Sequence, residues 1–322
     1  DIPLCDWSSD VCFPISIQGG SSKSFVDDYL RKYKQHTNYN SINVYATYNK
    51  DFGNHHFKVM AGFNQESSYQ ETLDTYSYNQ AVLDVPAMSS GTGTIKATDS
   101  YSEYAIRGGF FRVNYNYLDK YLAEINFRSD ASSKFGANHK WGFFPSVSAA
   151  WVISEEKFMK RIPLVDNLKL RIGYGLAGNQ SGIDSYTTLN LVKPNGVVPV
   201  GSSQVVTLGN MRNTNPDLKW EVKRTFNAGV DLGMFGNRLL FSLNYYNSKT
   251  SDMLYLYNVS VPPFTYNTLL ANIGSMRNSG TEIAVGLTPL KTQDMELNVN
   301  VNVTFQQNKL LSLSGMYGGE NI

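Results

Sequence analysis

The sequence predicts an all-β chain folded as an antiparallel, up-and-down transmembrane β-barrel, and three observations predict it. Apolar and polar residues alternate with a period of two, which separates them onto the two faces of a strand and would scatter them around a helix. The alternating segments run to about 11 residues, which at ~3.3 Å each and a tilt of ~45° span roughly 26 Å, close to the apolar band of such barrels. The links between segments are short and long by turns, so one end of the sheet is trimmed and the other elaborated. A soluble β-sandwich alternates too, with its apolar face in a core, and alternation alone leaves it open.

In chain order, the first stretch stands apart. "DIPLCDWSSDVCFPIS" has no basic n-region and no apolar run, so it is not a signal peptide. It holds both cysteines, Cys5 and Cys12, which fit a small disulfide loop or metal ligands lacking a CxxC partner. A third reading is favoured. "DWSSDVC" resembles a translated sequencing adapter, and "FPIS" looks like its continuation after a one-base frame slip. Residues 1–16 are then non-native, and residues 17–322 form the domain.

Ten strands follow, at roughly 40–49, 56–67, 103–117, 121–130, 144–153, 168–177, 219–233, 238–250, 279–290 and 295–307. The clearest is "MELNVNVNVTFQ", with Leu297, Val299, Val301, Val303 and Phe305 on one face and Asn298, Asn300, Asn302 and Thr304 on the other. In "YLAEINFRSD", Tyr121, Ala123, Ile125 and Phe127 oppose Glu124, Asn126, Arg128 and Asp130. "LKLRIGYG" and "TFNAGVDLG" repeat the pattern with Leu170, Ile172 and Tyr174, and with Phe226, Ala228 and Val230. Tight links are "KDFGNH", "LDK", "FGNR" and "KTQD"; long ones cover roughly 68–102, 131–143, 178–218 and 251–278. "SEEKFMKRIPLVDN", on the tight side, reads as a short helix capped by Ser154, with Glu155 and Glu156 in its first turn.

The faces separate lipid from water. Tyr48, Tyr115, Tyr117, Tyr121, Trp151 and Tyr174 place aromatic rings near strand ends, where interfacial girdles lie. The polar face is rich in Asn, Ser, Thr and Gly, which suits a wet lumen better than a surface kept soluble by Lys and Glu. Charged residues make up only 17% of the chain, and the net charge of +1 gives no electrostatic case for nucleic acid. No apolar run is long enough for a transmembrane helix.

One block is specific. "FRSDASSKFGANHKWGFFPSVSAAWVISEEKFM" (127–159), followed by "LKLRIGYGLAGNQ" (168–180), resembles the SusC/RagA-type TonB-dependent outer-membrane transporters. "NPDLKWE" (215–221), "NIGSMRNSGTEIAV" (272–285) and "HFKVMAGFNQE" (56–66) extend the resemblance over nearly everything from about residue 40 to 310. The resemblance implies active import of oligosaccharides or peptides across the outer membrane of Bacteroidetes-type bacteria. It implies energy from the TonB complex, a SusD-like surface lipoprotein as lid, and outer-membrane lipid around the barrel. Family barrels have 22 strands and a lumen plug, so the chain is expected to be an internal segment, about ten strands without plug or TonB box. Two unpaired sheet edges would keep it from folding alone into an active transporter. Two other functions share the alternation but not the ordered motifs: a passive porin-like channel and a secreted carbohydrate-binding β-sandwich.

Within the block, Gly136 and Gly142 are expected at a loop tip with φ > 0, and Pro145 just before regular pairing. Arg128, Asp130 and Lys134 form a candidate lumen charge cluster, as a structural network or lining the path. Tyr186, Tyr257, Phe264 and Tyr266, in the long loops, are candidates for ligand or partner contact, since ring faces bind sugars and peptides. "GYGLAG" (Gly173, Gly175, Gly178) matches GxGxxG but leads into turn-like "NQSGIDS", not a helix, so no nucleotide site follows. His55 and His56 are adjacent and point opposite ways on a strand, and His36 and His139 stand apart, so no metal site is expected. No P-loop, GxSxG or HExxH occurs, and neither an enzyme nor a cofactor is predicted.

Overall fold

The computed structural model describes residues 15–24, 29–80, 87–313, 316–317 and 320–321, with side chains over 29–80 and 87–313. Cys5, Cys12 and the adapter-like stretch up to residue 14 lie outside the described residues. The strands are β1 (Ile15–Ser24), β2 (Tyr29–Phe52), β3 (His55–Tyr78), β4 (Ile95–Tyr117), β5 (Tyr121–Ser132), β6 (Trp141–Phe143), β7 (Ser146–Val152) and β8 (Val165–Asn179). They continue as β9 (Val192–Val200), β10 (Ser203–Asn210), β11 (Glu221–Met234), β12 (Leu239–Ser251), β13 (Leu254–Asn258), β14 (Thr268–Asn272), β15 (Ser275–Lys291) and β16 (Glu296–Ser312). One sheet runs in the order β1-β2-β3-β4-β5-β7-β8-β11-β12-β15-β16, with β6 also on β5. All ten expected strands are present, each hydrogen-bonded to its sequence neighbour in the sheet, as an up-and-down barrel wall requires. Among the described residues the sheet does not close on itself.

Two departures concern length and turn type. β2, β3 and β4 extend well beyond the expected segments, so the link expected at 68–102 is mostly strand. Their outer halves are rich in Tyr, Ser and Thr on both faces, which favours pairing but erases the apolar alternation that marks a half-buried strand. The segment expected as a helix capped by Ser154 is instead two 3₁₀ turns, Ile153–Glu155 and Met159–Arg161, neither with a side-chain cap. Each turn closes over three residues, Glu156 N to Ile153 O and Ile162 N to Met159 O. The Glu156 carboxylate turns back to the strand ends, accepting from Tyr121 Oη (2.7 Å), Lys120 Nζ (3.1 Å) and Trp151 Nε1 (3.3 Å). These bonds hold the segment against the sheet where a helix would carry it away.

The chain forms two compact units. One comprises the described residues up to Val44 with Asn64–Arg107 and Ser132–Lys134. The other comprises Tyr45–Phe63, Gly108–Ala131 and the described residues from Phe135. In the first, β1 lies antiparallel on β2 from Ile15↔Asn38 to Ser24↔Tyr29. Arg31 grips Asp74 with two 2.8 Å bonds, beside the rings of Tyr33 and Tyr76. The second unit carries most of the motifs.

In the second unit the register explains the alternation. One row pairs Tyr121, Trp151, Leu170, Val230, Leu243, Ile283 and Val303 across seven strands. One residue further along, the row is Leu122, Ala150, Arg171, Gly229, Asn244, Glu282 and Thr304, on the opposite face. The apolar rows are exposed: Ile172 is 53% exposed, Val147 50% and Val301 48%. Among the described residues the buried hydrophobic core lies not beneath this sheet but in the loops, around Phe135, Phe144, Ile183, Leu218 and Trp220. A sandwich would bury the rows; here they face outward, as lipid contact demands.

At the tight-turn end, rings follow one another over five strands: Phe52, Phe57, Tyr115, His55, Tyr117, Tyr121 and Trp151, with centroids 4.6–6.4 Å apart. This is the expected girdle, although Tyr48 and Tyr174 lie four residues further along their strands. Leu118 and Asp119 (φ 58° and 57°) and Phe235, Gly236 and Asn237 (φ 60–65°) turn the chain through left-handed conformations beside it.

Candidate functional site

The polar face of the second unit is a wall of mutually bonded groups. Arg171 on β8 donates to Asp231 on β11 through Nε (2.6 Å) and Nη2 (2.9 Å), and reaches Asn244 on β12 at 2.8 Å. Gly229 lies between them in the row, and its missing side chain leaves the Arg171–Asn244 bond its space; a Cβ there would come within 2.5 Å of Asn244 Oδ1. Ser242 donates to Asp231 at 2.9 Å. Further along, Asn126 donates to Glu124 (2.7 Å) and Ser146 (3.2 Å) and accepts from Arg112. This face bounds a concavity of about 880 Å³, lined by His56, Lys58, Asn114, Glu124, Lys169, Arg171, Asn227 and Glu282 among others. Charges of both signs alternate with amides, so the wall hydrogen-bonds polar solutes without favouring one net charge.

The long loops are built, not loose. Phe135, Phe144 and Trp220 pack together, with Trp220 4.8 Å from Phe135 and 5.4 Å from Phe144, and Trp220 Nε1 donates to Lys140 O (2.9 Å). Leu218 and Ile183 complete the cluster. Three asparagines tie 213–220 to the β13–β14 hairpin. Asn213 donates to Tyr266 O (2.6 Å) and Thr268 O (2.9 Å) and accepts from Thr265 N and Tyr266 N. Asn215 donates to Leu270 O, and Asn272 donates to Lys219 O and accepts from Lys219 N. Phe135 and Gly136 of "SSKFG" and the motifs "WGFFPS", "NQSGI" and "NPDLKW" therefore meet in one loop core.

The glycines of the block serve that core, and here the sequence expectation is corrected. Neither Gly136 nor Gly142 has a positive φ. A side chain on Gly136 would collide with the Pro216 carbonyl, and one on Gly142 with the Phe144 ring and Trp220. Both are needed for close approach, not for turning. Gly178 likewise makes room for Phe144 and Gly175 for Ser146, while Gly173 has ordinary space. All three glycines of "GYGLAG" lie within β8, so no helix starts there. Pro145 sits in the break just before β7, as expected.

Of the candidate residues, Arg128 and Asp130 meet: Arg128 Nε lies 2.6 Å from Asp130 Oδ2, with Asp130 buried against Gly108. Lys134 belongs to the other unit, where its ammonium lies 4.9 Å from the Tyr104 ring. Tyr257 is on β13 opposite Leu269, and Phe264 and Tyr266 are in the loop between β13 and β14. Tyr266 spends its hydroxyl on Asn210 O. Tyr186, at φ 62°, is on a separate loop before β9. His55 bonds Tyr115 Oη and His56 bonds Asp51, each at 2.8 Å. Among the described residues, no three His, Cys, Asp or Glu side chains group as metal ligands would. The roles of Asn213, Asn215, Asn272 and Gly229 went unseen in the sequence, because each depends on a partner distant along the chain.

Comparison with known proteins agrees with this geometry. Residues 9–320 match the family model described as TonB dependent receptor-like, beta-barrel. TonB-dependent receptor P26 of Formosa agariphila is 38% identical over 221 residues, covering 68% of this chain and 22% of that protein. TonB-dependent receptor SusC of Bacteroides thetaiotaomicron is 31% identical over 283 residues, covering 85% and 27%. The chain thus spans about a quarter of the length of these relatives. Among solved structures, the RagAB peptide transporter superposes with a TM-score of 0.77 at 24% identity, covering 88% of this chain and 31% of that one, a likeness of fold.

Proposed function

We propose a function from one premise: the chain belongs to the TonB dependent receptor-like β-barrel family. It is a SusC/RagA-type outer-membrane protein of Bacteroidetes-type bacteria. We infer that it forms a wall section of an active importer, in which the polar face lines the path and the apolar face meets lipid. One observation carries this reading: rows of alternating character run across seven strands, the apolar ones open to the surroundings and the polar ones tied sideways through Arg171, Asp231 and Asn244.

The cargo on this reading is an oligosaccharide or a peptide. The resemblance to SusC/RagA-type transporters supports that class, and the mixed wall around Arg171, Glu124 and Asn244 suits a polar solute. The loops after β8 and β12 would carry contacts to the cargo or to a SusD-like lipoprotein lid, with Tyr186, Tyr257 and Phe264 as contact rings. Tyr266 serves more to hold its loop. The Arg128–Asp130 pair braces the wall at its loop end. Energy would come from the TonB complex through another part of the complete receptor.

The test is uptake by cells whose only copy of the complete receptor is under control. Accumulation of the cargo should require the receptor and should stop when an uncoupler collapses the proton gradient. Uptake that continues under the uncoupler would make the barrel a passive channel and end the proposal.

A further inference from the structure

The apolar face is not evenly filled. Next to the girdle row (Tyr121, Trp151, Leu170, Val230) runs one in which three alanines accompany Ile172 and Tyr245. There Ala123 pairs with Ala149, Ala149 with Ile172, Ile172 with Ala228, and Ala228 with Tyr245. The result is an apolar trough of about 750 Å³ on the outer face. Its rim does not fold in to fill it. Trp151 and Tyr121 are stacked, and both hand their polar ends to Glu156. Tyr115, on the other side, is held by His55 at 2.8 Å.

We propose that this trough binds one acyl chain of a phospholipid from the periplasmic leaflet of the outer membrane. The inference rests on the membrane setting, not on the transport reading. The trough is continuous with the face that meets hydrocarbon, so what enters it is apolar. Left empty, its lining would forgo the dispersion contacts that a close-packed surface gains. Its depth selects the leaflet. It lies two residues beyond the girdle of the tight-turn end, about 7 Å along the strands, where the first methylenes below a periplasmic headgroup lie. The fixed rings make a preformed slot for a chain, which a flat lipid-facing surface does not offer.

The experiment uses the complete receptor, purified in detergent, washed free of loose lipid and weighed by native mass spectrometry. The wild type should retain phospholipid, and the filled variant Ala149→Phe/Ala228→Phe should retain it at about tenfold lower occupancy. Val299→Phe, on the same face but off the trough, should keep it. Equal retention in the filled variant, or equal loss in Val299→Phe, overturns the proposal, as does a lipopolysaccharide or a second copy of the chain as the species displaced. Should the filled variant fail to assemble, the wild type is reconstituted with phosphatidylcholine brominated along one chain. The fluorescence lost on Trp151→Phe should be quenched to saturation at a low fraction of brominated lipid. Quenching merely proportional to that fraction contradicts a bound chain.

Discussion

Trp220→Ala should open the loop core while leaving the barrel wall intact. Trp220 is 8% exposed, touches Phe135 and Phe144, and donates to Lys140 O, so its loss removes a large apolar body and strands a carbonyl. Truncations of buried Trp cost about 3–5 kcal/mol. At about 1.4 kcal/mol per tenfold, the open loop becomes more populated by between a hundredfold and a few thousandfold. Trp220→Phe keeps most of the packing and should cost about 1 kcal/mol, the worth of one hydrogen bond. The assay is trypsin cleavage at Lys140 and Lys219 in outer-membrane vesicles bearing the complete receptor, with heat-modifiable gel migration reporting the barrel. Fast cleavage with unchanged migration is expected for Trp220→Ala, and little change for Trp220→Phe. The same protease resistance in Trp220→Ala as in the wild type would refute the loop core as what holds these loops in place. Because Phe135 and Trp220 touch, Phe135→Ala added to Trp220→Ala should cost less than the sum of the two.

Other expectations follow from single contacts. Gly136→Ala should cost about 1–3 kcal/mol by forcing the Pro216 carbonyl, and the 213–220 segment with it, away from residue 136, whereas Gly173→Ala, with ordinary space, should match wild-type melting. Asn213→Ala should raise amide exchange at Thr265 and Tyr266, whose N–H groups lose their acceptor, and unchanged exchange would count against the tie. Glu156 offers a pH test. Its hydrogen bonds, first from Tyr121 and then from Lys120, lower its pKa below the ordinary glutamate value of about 4.3. The stabilisation is therefore full above that value and is lost as pH falls through the lower folded pKa. The amide protection factors across 153–162, corrected for the intrinsic pH dependence of exchange, should fall on acidification in the wild type and be insensitive to it in Glu156→Gln.

The wall was legible in the sequence because a membrane writes its pattern residue by residue. Val299, Val301 and Val303 alternate with asparagines, and each strand declares its own two faces. The outer halves of β2, β3 and β4 are not legible for the same reason: "SSYQETLDTYSY" carries polar residues on both faces and so has nothing to alternate. The β9–β10 and β13–β14 hairpins read as plain loop: Pro194, Gly196 and Pro199 interrupt the pattern of β9, and β13 and β14, five residues each, are too short to show a period. The loop glycines were assigned the wrong task. A glycine that turns and a glycine that lets Pro216 approach look identical in sequence, and only the distant partner tells them apart. The same holds for Ser154, a plausible cap whose helix is pre-empted by the bonds from Tyr121, Lys120 and Trp151 to Glu156.

The central claim is that lipid covers the apolar rows and water the polar ones. Single cysteines placed along β16 of the complete receptor in native membranes test it most directly. With a membrane-impermeant maleimide from either side, and a chain-labelled nitroxide lipid as the opposing probe, Asn298→Cys, Asn300→Cys and Asn302→Cys should react with the first. Val299→Cys, Val301→Cys and Val303→Cys should see only the second. Valine positions shielded from both probes, as between two packed sheets, would contradict the account.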